Sequence, residues 1–287
     1  MRAGLRRFAL AALAAAALAG CRTPARPPDV LLIVVDTLRA DRLGCYGNPD
    51  GLTPFIDSLA ARGRVFRRAY AQSSWTNPSV ASLFTSRYQS QHNVVDYGSV
   101  LNDAEVTLAE TLRRAGYATG GFSANTLIAP KFGFGQGFDV YRAHWVRKTD
   151  DVKFLWLPER APTINADALG WLDELPAPAG RRPPTFLYVH YMEPHSPYAP
   201  DEAMLARVFR DRPPPDVRQV NLDAYLGNLG GASEDLVRDV AGLYDASVAS
   251  LDAGLRALFA ELERRGFLAH ALVVFTADHG EELGEHG

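Results

Sequence analysis

The chain has 287 residues, 47% of them hydrophobic and 22% charged, with a formal net charge of -3. This is enough apolar material to bury one large α/β core or two small ones. The charge is close to balance and the basic residues are scattered, often in pairs such as Arg67-Arg68 and Arg264-Arg265, so a nucleic-acid partner is not expected.

Arg2, Arg6 and Arg7 precede an apolar run, Phe8–Leu18, that is shorter than the ~20 residues needed to span a bilayer. Leu18-Ala19-Gly20-Cys21 follows and resembles a bacterial lipobox. Residues 1–20 are therefore expected to be a lipoprotein signal peptide, with Cys21 the lipidated first residue of the mature chain and residues 21–28 a tether. An acyl anchor would hold the protein in the cell envelope, outside the cytoplasm, and Arg22 in place of Asp after the Cys favours the outer membrane. An ordinary cleaved signal or an Ala-rich helix is the alternative. With Cys21 lipidated, Cys45 has no disulfide partner and is read as a small packed residue.

Val30–Val35 is a continuous β-branched run, the pattern of a buried parallel strand, and it ends at Asp36. A carboxylate there lies where open α/β sheets place ligands, although Asp36 could equally cap the next turn. Phe55, Ile56, Leu59 and Ala60 predict a helix over Thr53–Arg62, and Val65-Phe66 a short strand. Thr76-Asn77-Pro78-Ser79 reads as a helix start, with Thr76 at or just outside the N-terminus and the helix closing at Thr85. Taken alone Thr76 is a cap, but a helix N-terminus also suits an alkoxide or a bound anion. His92, Asn93 and Asn125 either approach such a pocket or lie in surface turns. A helix over Glu105–Ala115 and a strand over Tyr117–Ser123 follow; Gly120-Gly121 weakens that strand or admits another backbone. The glycines of Gly133–Asp139 lack a strand-then-helix frame and read as a loop.

Asn165–Leu175 is expected to be a helix, followed by a Pro-rich turn and a second strongly buried strand, Thr185–Tyr191. His190 within it reads as a packed core histidine rather than a ligand, and His195 follows at the strand's end. Tyr198–Val217 reads as an irregular lid. Val240, Tyr244, Val248, Leu251, Leu255, Leu258 and Leu262 mark a long helix from Ser233 to Gly266. Ala271–Thr276 is a third buried strand, ending at Asp278-His279-Gly280. Glu281, Glu282 and Glu285 read as a solvated acidic face, and His286 is within reach of a site at that strand end.

In an all-parallel sheet the three strand ends share one edge, which brings Asp36, His190 with His195, and Asp278-His279 toward the hydroxyl of Thr76. Carboxylates with imidazole suit a divalent cation: Zn or Mn, or Ca or Mg if enough oxygens are present. A cation there would lower the pKa of a hydroxyl nucleophile and offset the charge of an anionic ester.

Asp36-Thr37-Leu38-Arg39-Ala40-Asp41, Thr76-Asn77-Pro78-Ser79, Pro194-His195-Ser196-Pro197 and Asp278-His279-Gly280 resemble, in order and spacing, the sulfatase family of the alkaline-phosphatase-like superfamily, over about Asp29 to Gly287. The resemblance implies an α/β three-layer sandwich with a mostly parallel central sheet, incomplete at its C-terminus relative to the family. It implies Asp36, Asp278 and His279 as metal ligands, Thr76 at the nucleophile position, and His195 as a substrate-binding or acid/base group. The family's formylglycine is made from Cys or Ser. Oxidising Thr76 would give a ketone rather than an aldehyde, so no formylglycine is expected. Val80 replaces the motif's Arg, Thr37 stands where a second acidic residue is common, and a Lys usual after Gly116-Tyr117-Ala118-Thr119 is missing. The expected function is a metal-dependent hydrolase of small-molecule, glycan-linked or lipid-linked anionic esters, with phosphate favoured over sulfate by the threonine nucleophile. The alternatives are a phosphoethanolamine-type phosphotransferase and an inactive sulfatase-like surface lipoprotein.

Overall fold

The computed structural model describes residues 26–144, 147–148, 156–157, 159–177, 182–226 and 232–285. Residues 1–20, expected to be a signal segment, and Cys21 and His286 lie outside the described residues. A five-stranded sheet in the order β3-β2-β6-β1-β7 forms the middle layer, built from β1 (Asp29–Val35), β2 (Ala118–Ser123), β3 (Val140–Ala143), β6 (Thr185–Tyr191) and β7 (Ala271–Ala277). Every neighbouring pair in it is parallel. A two-stranded antiparallel pair, β4 (Arg147–Lys148) with β5 (Trp156–Leu157), stands apart.

Side chains alternate across a strand, so β1 and β6 serve two cores at once. Leu31, Ile33, Val35, Leu187, Val189 and Tyr191 face one cluster with Trp171, Leu243, Tyr244, Leu251, Leu255 and Leu258. Leu32, Val34, Phe186 and Tyr188 face the other, with Val80, Ala81, Phe84 and Phe134. Burial on both faces is why these strands read as unbroken apolar runs. The first face is covered by α5 (Ala161–Glu174) and the 31-residue α8 (Glu234–Arg264), which Ser233 caps through the Leu236 amide. Its seven predicted apolar positions are all buried, each side chain contributing roughly 2 kcal/mol. Helices α1 (Pro54–Arg62), α6 (Glu202–Val208) and α7 (Val217–Leu226) pack against it. The second face is covered by α2 (Thr76–Thr85) and α4 (Leu108–Arg114), with the single turn α3 (Gln89–His92) packed beside α2. Among the described residues no helix is long and apolar enough to cross a membrane.

Several expectations need correction. Val65-Phe66 is not a strand, and Phe66 is exposed: two apolar residues have no neighbouring strand to pair with. The Tyr198–Val217 region holds the helix α6 instead of being wholly irregular. Helix α5 begins at Ala161, four residues before Asn165, with Pro162 in its first turn and the Glu193 carboxylate accepting the Ala161 amide at 2.7 Å. What approaches Gly120 and Gly121 is aromatic side chains, not backbone: an added Cβ would meet the Trp171 ring at 2.5 Å and the Tyr141 ring at 2.5 Å. Gly120→Ala should therefore cost about 1–3 kcal/mol through overpacking, read as a lower denaturant midpoint at unchanged slope. Gly170, in a helix with nothing within 4 Å of its built Cβ, is the control. Gly170→Ala should gain up to about 1 kcal/mol.

Candidate active site

The parallel register decides what meets what. Val35 pairs with Tyr191 on one side and Ala277 on the other, so the residues that follow these strands emerge together. Asp36 continues the ladder by donating its amide to the Tyr191 carbonyl (2.9 Å), and Asp278 does the same to Val35 (3.3 Å). Both carboxylates are buried at this carboxyl edge. Helix α2 starts across from them. Its Ser79 hydroxyl donates to the Asp278 carbonyl (2.6 Å) and its Asn77 side chain to the Leu127 carbonyl (2.9 Å), which fixes the first turn against the sheet.

Thr76 is the first residue of α2, after Trp75 at the N-cap, and among the described residues no first-turn amide donates to its hydroxyl. Thr76 Oγ1 instead lies 3.4 Å from Asp36 Oδ2 and 3.3 Å from His279 Nε2. The helix end supplies a positive dipole and loosely committed amides at that oxygen. Val80, one turn on, is fully buried in the second core, where a charged Arg would have no room for its hydration.

Each carboxylate has one oxygen satisfied and one not. Asp36 Oδ2 accepts from Asn125 Nδ2 at 2.6 Å and lies 3.4 Å from His190 Nε2. Asp278 Oδ1 accepts from the amides of Thr37 (3.2 Å) and His279 (2.8 Å). Asp36 Oδ1 and Asp278 Oδ2 are buried without a hydrogen-bond partner. His279 Nδ1–H donates to the Gly280 carbonyl (2.8 Å), which leaves Nε2 bare, 3.6 Å from Asp36 Oδ1 and 3.7 Å from Asp278 Oδ2. Buried acceptors left facing one another are costly unless a cation joins them, so this donor set fits a divalent ion. The ligand atoms of Asp36, His190 and Asp278 also lie within 4.8 Å of one another. His190 is thus buried, as a core histidine would be, and at the site as well. The Tyr188 hydroxyl, 2.8 Å from His190 Nδ1, can donate to it, so that Nε2–H holds Asp36 from behind.

The charges agree with this geometry. Burial alone opposes ionisation of Asp36, but the His190 hydrogen bond and the nearby charges of His195, His190 and His279 hold its carboxyl down. Burial, then the Asp36 charge, pushes Asp278 up. Two carboxylates so close cannot both ionise freely without a counter-charge. Burial works against a charged His195, yet Asp36 and Glu281, the Ser196 carbonyl and Asp278 outweigh it and raise its pKa. His195 is therefore in the field of the cluster, with its Nδ1–H donating to the Ser196 carbonyl. Of the sequence-predicted residues, Asp36, Thr76, Asp278 and His279 converge, and His195 is tied to them through its charge.

A family model, Sulfatase, matches residues 28–287. The chain belongs to the sulfatase family. It is 26% identical to the multifunctional alkaline phosphatase superfamily protein PehA of Trinickia caryophylli, over 90% of this chain and 64% of that protein. It is 30% identical to human arylsulfatase A, over 93% of this chain and 54% of that protein. Among solved structures it is similar to the phosphonate monoester hydrolase of Agrobacterium radiobacter, with a TM-score of 0.70 and 22% identity, covering 90% of this chain and 63% of that one. The fold is thus the alkaline-phosphatase-like one that the motifs implied, and the chain spans somewhat over half the length of these relatives.

Within this sulfatase-family site three residues contribute in ways that the motifs do not specify. Asn125 is drawn in because β2 lies beside β6, a neighbour relation that no local pattern encodes. Thr37 acts through its backbone: its φ of 54° is unusual for a β-branched residue, and its amide serves Asp278 while its carbonyl accepts from Tyr244 Oη at 2.8 Å. Glu281 is not on a solvated face. Its Oε2 is buried without a hydrogen-bond partner, and burial raises its pKa against the pull of His195 and Thr37. Glu282 is exposed, and Glu285 pairs with Arg39 at the surface, as an acidic face would. His92 is buried beside Ser82 Oγ at 2.9 Å, packed under α2 and outside the site, and Asn93 caps α3.

Proposed function

We propose that this chain carries the catalytic part of a divalent-cation-dependent hydrolase of anionic esters, with phosphorus esters preferred over sulfate esters. The observation that carries this is the hydroxyl of Thr76 at a helix N-terminus, 3.4 Å from Asp36 Oδ2 and 3.3 Å from His279 Nε2, beside two orphaned carboxylate oxygens. Asp36, Asp278 and His279 would hold the cation, which when bound lowers the pKa of a hydroxyl and offsets ester charge. Thr76 loses its hydroxyl proton to water, and Oγ1 forms the bond to phosphorus as the ester oxygen leaves. The dipole of α2 and Asn125 Nδ2, 3.5 Å away, favour the negative charge that develops on Oγ1. In this reading His195, whose pKa is raised by Asp36 and Glu281, binds the anionic group and gives its proton to the leaving oxygen. Water then cleaves the Oγ1–phosphorus bond, giving a proton to the now neutral His195, and Oγ1 leaves phosphorus and regains its proton from solvent. Threonine supports the phosphorus preference because it reacts unmodified and cannot become formylglycine. The names of PehA and of the phosphonate monoester hydrolase point the same way.

Leu18-Ala19-Gly20-Cys21 supports lipidation at Cys21 and an envelope location for this hydrolase. A screen of an aryl sulfate, an aryl phosphate and an aryl phosphodiester against Mg, Mn, Ca and Zn tests the reaction. A phosphorus ester should be turned over at least about a hundredfold faster than the sulfate, equivalent to about 2.7 kcal/mol of transition-state preference. Equal or faster sulfate turnover would remove the phosphorus preference.

A further inference from the structure

The chain enters the domain at the end of the sheet opposite the candidate active site, and it is pinned there. Asp29, buried at the start of β1, accepts a bidentate pair from Arg182 (2.8 and 2.7 Å), a bond from Arg26 Nη2 (3.0 Å) and the Thr185 amide (2.9 Å). Arg26 Nη2 also donates to the Pro183 carbonyl (3.0 Å), and the Arg26 carbonyl accepts from His270 Nε2–H (3.0 Å). The Pro28 carbonyl accepts from Tyr117 Oη at 2.9 Å. Residues 26–29 are therefore fastened to the starts of β1, β6 and β7 and to the residue before β2. A bidentate Arg–carboxylate pair with a 1% exposed carboxylate is among the stronger fastenings a surface segment can have.

The seven residues of β1 separate this clamp from Asp36 by about 23 Å. Only four residues, 22–25, lie between Cys21 and Arg26, so the tether reaches at most about 18 Å even when fully extended. Bringing the carboxyl edge of the sheet down onto the membrane would turn the domain over. Arg26 would then stand at least the strand length, about 23 Å, above the surface, plus the loops that carry the site. The tether is too short for that. With the strands lying flat, the helical layer beneath, about 10 Å thick, still keeps the sheet clear of the bilayer.

We infer that the mouth of this site is held away from the membrane that anchors the chain, so that its substrate is a water-soluble anionic ester rather than the headgroup of a phospholipid in that membrane. This rests on the lipidated Cys21 and on the hydrolase reading above. It separates that reading from a transferase drawing its donor from the same bilayer, whose headgroups lie at the level of the anchor.

The test uses the full chain from a lipidating host, reconstituted in phosphatidylcholine–phosphatidylethanolamine vesicles. In a Cys45→Ser background one dye is placed at Ala269→Cys, exposed beside the clamp, and another at Tyr97→Cys, exposed against Trp75 next to Thr76. Energy transfer to acceptors at the vesicle surface should be severalfold greater from position 269 than from position 97. Equal or greater transfer from position 97, with the protein floating on the vesicles, overturns the orientation and leaves the anchor standing. If the chain with Cys21 intact stays in solution as Cys21→Ser does, the anchor fails and the inference falls with it. Both readouts are independent of enzymatic activity.

Discussion

Thr76→Ala should lower turnover of an aryl phosphodiester by about four orders of magnitude or more, the scale seen when a hydroxyl nucleophile is removed. The expectation rests on what the hydroxyl does not do. In a cap residue the side-chain oxygen would accept an amide of its own first turn, and loss of that bond would cost about 1 kcal/mol of stability. Thr76 lies one residue inside the cap, which is Trp75, and its oxygen points to Asp36 and His279 at 3.4 and 3.3 Å. Activity should therefore collapse while the melting temperature hardly moves. Thr76→Ser, which keeps an alcohol in the same place, should retain measurable turnover, whereas Thr76→Val should not. A variant that loses stability and keeps its activity would return Thr76 to the role of a cap.

Removing divalent cations should abolish turnover and make stability fall as the pH rises. Burial and the Asp36 charge raise Asp278 above the ordinary carboxylate value of 3.8, so its proton stabilises the cation-free fold and is lost as pH climbs into the neutral range. Burial likewise raises Glu193 to about 7 and Asp245 to about 6, with the same sign. Asp36 has the opposite sign, held down to about 2, so its contribution is lost only in strong acid. The melting temperature of the chelated protein should accordingly decline between about pH 5 and pH 8. Cation at about a hundred times its dissociation constant should restore about 2.7 kcal/mol, and more of the loss at pH 8 than at pH 5, because it competes with the Asp278 proton. Asp278→Asn should remove the cation-dependent part and leave the Glu193 and Asp245 part. A chelated protein that is fully active, or a melting temperature indifferent to every divalent ion, would mean that the paired carboxylates hold no ion.

The parts of this site that were legible in the sequence are those that a strand carries to its own end. A buried β-branched run predicts a parallel strand. The shared carboxyl edge of parallel strands then places Asp36 beside Asp278 without any knowledge of the loops, as the Val35–Ala277 register shows. Thr76 was legible because Pro78 and the residues around it mark a helix start. What stayed hidden depends on contacts between distant segments. Asp252 caps α1 by accepting the Phe55 and Ile56 amides (3.1 and 2.8 Å) from the middle of α8, and Thr53, the local candidate, makes no cap bond. Asn125 stayed open between pocket and surface turn, and Glu281 read as solvated, because both belong to loops whose direction is set by tertiary packing. One miss was avoidable: Thr107 and Glu110 form a capping box, a local pattern that puts the start of α4 at Leu108 and not at Glu105. His190 is buried, as its reading as a packed core histidine requires, and it also holds Asp36 from behind, because complete burial is as compatible with a residue supporting a cation site as with a packed core residue.

The measurement that bears most directly on the central claim is a covalent trap. The cation-loaded chain is mixed with a slow phosphorus ester and quenched in acid, and the peptide containing Thr76 is examined by mass spectrometry. Thr76 should carry the phosphoryl group of the substrate, should show no oxidation in the resting protein, and should lose the label in the Asp36→Asn variant. Turnover with the Thr76 peptide unlabelled, or with the label on another residue, would contradict the account.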